Sequence, residues 1–273
     1  MTASSEPAIE LAGDDDLPAL GALVEAAGWN QVAADWRLFL ALGQVWCVRD
    51  DAGRAIASAA LLPYPPATAW ISMVLTAPEA RGRGHGTLLF THAVRAAEAQ
   101  GLAPQLDATP AGQPIYEAAG FRPLFALTRW RRGGTAPIAM PGLSVDRDEA
   151  ETWDRRALGF ARPAIIGALL ERGPASLAPD GMILSRDGRK ALQLGPLVAY
   201  DSAKALRLLD EQLAQIGPEI EIVVDAVDEY GTLAARLAEA GFAPERPFTR
   251  MAKGAVPTGD RALLYAIAGP ELG

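Results

Sequence analysis

The sequence predicts an α/β protein with a mixed sheet, organised as two tandem copies of one motif. Three observations carry this. Strand-like runs alternate with helix-like ones along the whole chain. A short pattern recurs: Glu117-Ala118-Ala119-Gly120-Phe121-Arg122-Pro123 in the first half matches Glu239-Ala240-Gly241-Phe242-Ala243-Pro244 in the second. Each copy is followed at the same distance by Thr-Arg, as Thr128-Arg129 and Thr249-Arg250. Each is also preceded by a helix-like segment and, before that, a strand-like one holding Asp-Ala, as Asp107-Ala108 and Asp225-Ala226.

The boundary between copies is expected in Arg131-Arg132-Gly133-Gly134-Thr135-Ala136-Pro137, whose Gly, Pro and charge suit a linker. Domain one is placed at 1–132 and domain two at 138–273. Arg129, Arg131 and Arg132 then read as a solvated linker edge.

Within the first half, Val45–Arg49 and Ala55–Leu61 flank the turn Asp50-Asp51-Ala52-Gly53 and read as an antiparallel hairpin. Trp70–Thr76 is the next strand. Gly86–Gln100 reads as a helix with Leu89, Ala93, Ala96 and Ala97 on one face and Gly101 as its stop. In the second half, Leu192–Tyr200 is strand-like. A helix from about Ser202 follows, with Ala205, Leu209, Leu213 and Ile216 at helical spacing and Gly217 ending it.

Composition narrows the function. Of 273 residues, 50% are hydrophobic and 21% charged, enough to build a core without staples. The single cysteine, Cys47, has no partner for a disulfide or a metal site, so no metal is expected and a reducing, cytoplasmic setting fits. The first residues lack both a basic start and an apolar run, and no stretch approaches the length of a membrane span. A net charge of −8 argues against a nucleic-acid partner, because phosphate contacts need a basic face.

The most informative segment runs from Ile71 to Leu89. An apolar strand ends at Pro78, glycines follow at 82, 84 and 86, and an amphipathic helix begins. Glycines let a ligand approach the main chain, while the first amides of a helix lack partners and carry partial positive charge. This makes an anion site suited to a pyrophosphate, with Arg81 and Arg83 adding charge. It is not a P-loop, because Gly86-Thr87 lacks the lysine. The dinucleotide fingerprint G-x-G-x-x-G also fails, since the third glycine comes one position early and a hairpin precedes the strand.

The segment resembles the coenzyme A motif of the GNAT N-acetyltransferases, Q/R-x-x-G-x-G/A, as Arg81-x-x-Gly84-x-Gly86. Tyr116-Glu117-Ala118-Ala119-Gly120-Phe121 resembles the family's Y-x-x-x-G-F ending. The resemblance implies two GNAT-like domains, each a twisted, mostly antiparallel sheet flanked by helices, with acetyl-coenzyme A as co-substrate. It implies that backbone groups of Met73, Val74 and Leu75 meet the pantetheine arm. Amides from Arg81 through Gly82, Arg83, Gly84, His85 and Gly86 to Thr87 would hold the pyrophosphate. The cofactor is expected in a V-shaped gap between the strands at Trp70–Thr76 and about Leu102–Ala108.

Tyr116 stands where family members place the tyrosine that protonates the leaving thiolate. A phenol of pKa about 10 is a plausible donor to a thiolate of about 8.5. Many relatives have an asparagine seven residues earlier, where this chain has Thr109 followed by Pro110. Asp107 is either a general base or a turn cap, so no base is assigned. The acceptor is expected to be an amine of a small molecule or peptide. By resemblance it is met by the loop between the first helices, where Trp29 and Asn30 follow a glycine.

The second half reads Tyr200-Asp201-Ser202-Ala203-Lys204 at the place of the phosphate loop, with no glycine pair and a negative charge. It has Leu237 in place of Tyr116. It resembles the degenerate repeat of tandem GNAT proteins, expected to bury a shared interface and help wall the acceptor site. The chain is then a monomer or homodimer that transfers an acetyl or short acyl group to a primary amine. A different class of reading is a non-catalytic acyl-coenzyme A sensor.

Overall fold

The computed structural model describes residues 7–135 and 145–273. The first half begins with β1 (Glu10–Leu11), α1 (Leu17–Ala26) and α2 (Ala33–Leu42). The hairpin β2 (Gln44–Arg49) and β3 (Ala55–Tyr64) follows, then β4 (Thr68–Thr76), α3 (His85–Ala99), β5 (Ala103–Ala108), α4 (Gln113–Ala118) and β6 (Arg122–Arg132). The expected turn closes the hairpin: the Asp50 carboxylate accepts from the amides of Ala52 (3.1 Å) and Arg54 (2.9 Å). Leu89, Phe90, Ala93, Val94 and Ala97 form the buried stripe of α3, which lies across β3 and β4.

The second half repeats the order. It has α5 (Arg147–Leu158), α6 (Pro163–Arg172), β7 (Ser176–Ala178), β8 (Gly181–Arg186) and β9 (Leu192–Ala199). Then come α7 (Ser202–Ile216), β10 (Ile222–Val227), α8 (Gly231–Glu239), β11 (Ala243–Ala252) and β12 (Leu264–Ala266). Ala205, Leu209, Leu213 and Ile216 are all buried on α7, as their spacing predicts.

The strands do not form two separate sheets. They join in one 12-stranded sheet of order β1-β2-β3-β4-β5-β11-β6-β10-β12-β9-β8-β7. The sheet is antiparallel except where β4 meets β5 and β9 meets β10, one parallel pair in each half. At its centre the two halves exchange strands. β11 of the second half inserts beside β5, and β6 of the first half lies beside β10. β6 and β11 pair with each other, with Leu127 opposite Phe248. Those two residues each precede the repeated Thr-Arg, so a local two-fold axis passes between them.

The sequence repeat thereby acquires a physical meaning. Arg129 of the first half forms a bidentate pair with Asp225 of the second (2.8 and 2.7 Å). Arg250 of the second forms the reciprocal pair with Asp107 of the first (2.9 and 2.9 Å). All four side chains are buried. Leaving any one without its partner would strand a charge in the interior, so the pairs penalise misplacement of the exchanged strands.

Two expectations need correction here. A division after residue 132 does not separate two sheets, because β6 is inside the second half's strand array. One hydrophobic cluster also spans both halves, from Leu20 to Leu272. Nor do Arg129, Arg131 and Arg132 form a solvated linker edge. They lie on β6, where Arg131 pairs with Glu245 (2.6 Å) and Glu221, and Arg132 donates to the Gly217 carbonyl (2.7 Å). Composition marked them as a linker because charge and glycine follow, but cross-strand partners far along the chain hold them in the sheet. Residues 136–144, which include Ala136, Pro137 and the start assigned to domain two, lie outside the described residues.

Candidate active site

The site begins where a strand pair comes apart. β4 and β5 pair in parallel at Thr68 with Ala103, Ala69 with Pro104 and Trp70 with Gln105, and no further. Beyond Trp70, β4 continues to Thr76 beside β3 alone, while β5 continues beside β11. A bulge in β4 accompanies the separation: register against β3 shifts between Ser58 and Ala60. Met73 there takes φ +53°, the left-handed region that non-glycine residues seldom occupy. The Ser58 hydroxyl donates to the Met73 carbonyl (2.8 Å), holding the bulge in place. Met73 and Val74 line the resulting cleft; Leu75 is buried against the core and does not.

At the end of β4 the glycine-rich loop leads into α3. Gly82 and Gly84 have φ of +76° and +82°, and a side chain on either would be strained. Gly84 is the residue before the first helical turn and provides no side-chain cap. Among the described residues, the amides of Gly82, Arg83, Gly84, His85, Gly86 and Thr87 donate to no protein acceptor. The Leu88 amide is the first to bond back into the helix, to Gly84 (2.9 Å). Six consecutive free amides at a helix N-terminus are what a diphosphate requires. Arg81 does not contribute its amide, which bonds to Pro78 (3.4 Å), and its guanidinium turns back to the Thr76 carbonyl (3.3 Å). Arg83 is exposed.

A cavity of about 110 Å³ occupies the splay, and it draws on both halves. Tyr116 projects into it from α4, its ring against Phe90 at 4.7 Å. Burial pushes the Tyr116 phenol above its ordinary pKa, so it is protonated at neutral pH. Trp29 is among the residues that line the cavity.

Asn30 does not line it. Its side chain is buried in the interface with the second half, accepting from the amides of Lys190 (2.9 Å) and Ala191 (3.0 Å) and donating to the Ala191 carbonyl (2.8 Å). Those partners are invisible from the local sequence. Asp107 lines the cavity too, but Arg250 engages both of its oxygens, which fits a strand-locking role rather than a base.

Sequence reasoning missed four residues that the second half brings to this cavity: Arg246 and Phe248 on β11, and Pro270 and Glu271 near the end of the described chain. Nothing in their local pattern marks them. They arrive through strand exchange and the return of residues 269–273, which is fixed by Tyr64 donating to the Leu272 carbonyl and the Trp70 indole to Pro270, both 2.8 Å.

The corresponding region of the second half is closed. β9 and β10 pair in parallel only from Leu192 with Ile222 to Leu194 with Val224, then separate as their counterparts do. Here β12 fills the gap, pairing with β9 on one side and β10 on the other. Gly195 admits this approach, since a Cβ there would collide with the Ile267 carbonyl. The N-terminus of α7 is also occupied, because the Asp201 carboxylate accepts from the Lys204 amide (2.9 Å).

A free-amide helix start beside a splayed parallel strand pair marks the candidate active site, and it lies within a stretch that matches a GNAT acetyltransferase domain. Residues 41–123 match an acetyltransferase (GNAT) domain and residues 150–266 match a second. The chain belongs to the GNAT acetyltransferase family, with two such domains in tandem, and the family uses acyl-coenzyme A as co-substrate. It is similar to holothin acyltransferase of Pseudoalteromonas sp. (strain SANK 73390), 27% identical over 233 residues, covering 80% of this chain and 78% of that protein.

Among solved structures, an inferred acetyltransferase from Pyrococcus horikoshii aligns with TM-score 0.79 and 20% identity, covering 100% of this chain and 98% of that one. The tandem GNAT protein from the clavulanic acid biosynthesis pathway aligns with TM-score 0.64 and 16% identity, covering 93% and 100%. At such identities the likeness speaks for the fold. Among the described residues no helix is long and apolar enough to cross a membrane, and no group of His, Cys, Asp and Glu is arranged to hold a metal.

Proposed function

We propose that the first half carries the active centre of an N-acyltransferase that moves an acetyl or short acyl group from coenzyme A to a primary amine. The observation that carries this reading is the run of six unpartnered amides, Gly82 to Thr87, next to a cleft that also holds Tyr116. When bound, acyl-coenzyme A supplies an activated carbonyl carbon and a thiolate leaving group. The amides from Gly82 to Thr87 hold its diphosphate, and Met73 and Val74 border its arm. Tyr116, kept protonated by burial, donates to the departing sulfur. The second half closes its own equivalent cleft with β12 and provides Arg246, Phe248 and Glu271 to the acceptor side of the first.

Thiol release from acetyl-coenzyme A in the presence of an amine panel tests the reading, with holothin included because the curated relative is named for it. Tyr116→Phe should lower kcat by about 100-fold while the dissociation constant for acyl-coenzyme A stays within about twofold. An unchanged kcat removes Tyr116 from the chemistry. Failure of the wild-type protein to bind acyl-coenzyme A removes the whole reading.

A further inference from the structure

The acceptor side of the cavity carries two opposite charges that the protein itself leaves incomplete. Arg246 of β11 stands directly opposite Arg129 of β6, two guanidiniums on facing strands. Like charges so placed repel. Arg129 has its own counter-ion in Asp225. Arg246 has none: among the described residues its side chain makes no ion pair and no hydrogen bond, and its Nε is buried without an acceptor. The neighbouring Glu245 is held by Arg131 (2.6 Å), so Arg246 keeps only the face of Phe248, 5.1 Å from the ring centroid. Burial and the nearby Arg129 push its pKa down, a sign that the charge is costly as it stands.

Glu271 is the opposite case. Its side chain is 2% exposed, one oxygen is bound by Arg186, and the other, Oε2, has no partner. Arg186 is in turn held by Asp35 (3.1 Å), which also accepts from Arg172 (2.7 Å). This buried chain of charges fixes the Glu271 carboxylate. Asp107, the other acid of the cavity, offers no free oxygen.

We propose that the acceptor is a small amino acid-like molecule, its carboxylate on Arg246 and its amine on the free oxygen of Glu271. This rests on the acyltransferase reading above and names the substrate class of the same site. One uncompensated guanidinium matches a planar monoanion, which it can grip with two parallel hydrogen bonds, better than a phosphate dianion. A cavity of about 110 Å³ suits a small molecule better than a protein segment. Glu271 takes one of the two protons that an ammonium sheds on becoming an amide and passes it to solvent. The nitrogen–carbon bond forms and the carbon–sulfur bond breaks. The second proton replaces the one that Tyr116 gives to the sulfur, so charge and atoms balance.

The test uses the full chain, acetyl-coenzyme A and its short-chain homologues, and the twenty L-amino acids. Each amino acid is matched with its carboxamide, and holothin is included. At least one amino acid should be used about 30-fold more efficiently than its amide, the value of one good charge-assisted contact. In Arg246→Met that ratio should fall toward one, and calorimetric titration should show that amino acid binding about 30-fold more weakly. Arg246→Lys should restore part of both. Loss of a repelled charge should leave the melting temperature of Arg246→Met at or above that of the wild type.

Amides or holothin accepted as well as amino acids would overturn the proposal and leave acyl transfer standing. So would a preference that survives in Arg246→Met. No thiol release with any acceptor, although acyl-coenzyme A binds, overturns the proposal and the catalytic reading together. Absence of acyl-coenzyme A binding would sink the proposed function itself.

Discussion

Replacing Arg250 with methionine tests whether the exchanged strands are locked by their reciprocal charges. The Asp107 side chain is fully buried, and Arg250 is its side-chain partner for both oxygens. Its removal leaves an uncompensated carboxylate in the interior, which costs about 3–5 kcal/mol. Arg250 also lies over the Trp70 ring at 4.5 Å and the Phe125 ring at 5.2 Å; methionine keeps part of that packing, so the charge dominates. The symmetry-related change, Arg129→Met, should cost about 1–2 kcal/mol less, because Gln193 still donates to Asp225 (2.9 Å).

The same variant has a pH signature. Burial pushes the Asp107 carboxyl above its ordinary range against the lowering influence of Arg250. A carboxyl raised in the folded state contributes stability that is full below its unfolded pKa, about 3.9, and is lost as pH rises through the folded value. Without Arg250 the folded value rises further. The stability deficit of Arg250→Met should therefore shrink as pH falls toward the unfolded carboxyl value of about 3.9. Urea denaturation followed by circular dichroism measures both quantities. A deficit below about 1 kcal/mol, or one that does not exceed that of Arg129→Met, refutes the reasoning.

Other consequences are open to direct measurement. Gly84→Ala forces a side chain into φ +82° and costs about 1–2 kcal/mol if the loop keeps its shape; coenzyme A affinity should fall about 5–10-fold by calorimetry, and an unchanged affinity would detach Gly84 from the phosphate site. Asn30→Ala removes three hydrogen bonds between the halves and should lower stability by about 2–4 kcal/mol, with KM for acyl-coenzyme A unaltered. A fragment of residues 1–132 lacks the partner that β11 gives to β5 and exposes both edges of β6, so it should aggregate or self-associate. Residues 1–135 and 145–273 produced as two chains should assemble one to one; a folded, active 1–132 monomer by light scattering would contradict the strand exchange.

The glycine-rich loop before α3 was legible in the sequence because its geometry is local. Glycines at 82, 84 and 86 between a strand and a helix already specify free amides and a left-handed turn. The repeat was legible for a similar reason: Asp-Ala, Gly-Phe and Thr-Arg recur in order. Trp29, singled out for its place after a helix, borders the cavity, whereas the Asn30 side chain beside it is buried in the interface. A side chain's direction at a corner depends on what packs against it, and there the partner, residues 188–191, is remote in sequence.

The sequence by itself determined the alternation of elements, the glycine-rich strand-to-helix junction and the lack of that glycine pattern in the second copy. Tertiary structure alone decided which half each last strand joins. Two nearly equivalent strands, β6 and β11, carry the same local signals, so propensity and periodicity are identical for exchanged and unexchanged pairings. The difference lies in long-range terms, namely the crossed Arg–Asp pairs and the shared core. Those same crossings bring Arg246 and Phe248 to a site whose loop lies in the other half, while the returning chain adds Glu271. No short-range rule relates residues so far apart along the chain, and only the folded sheet makes them neighbours.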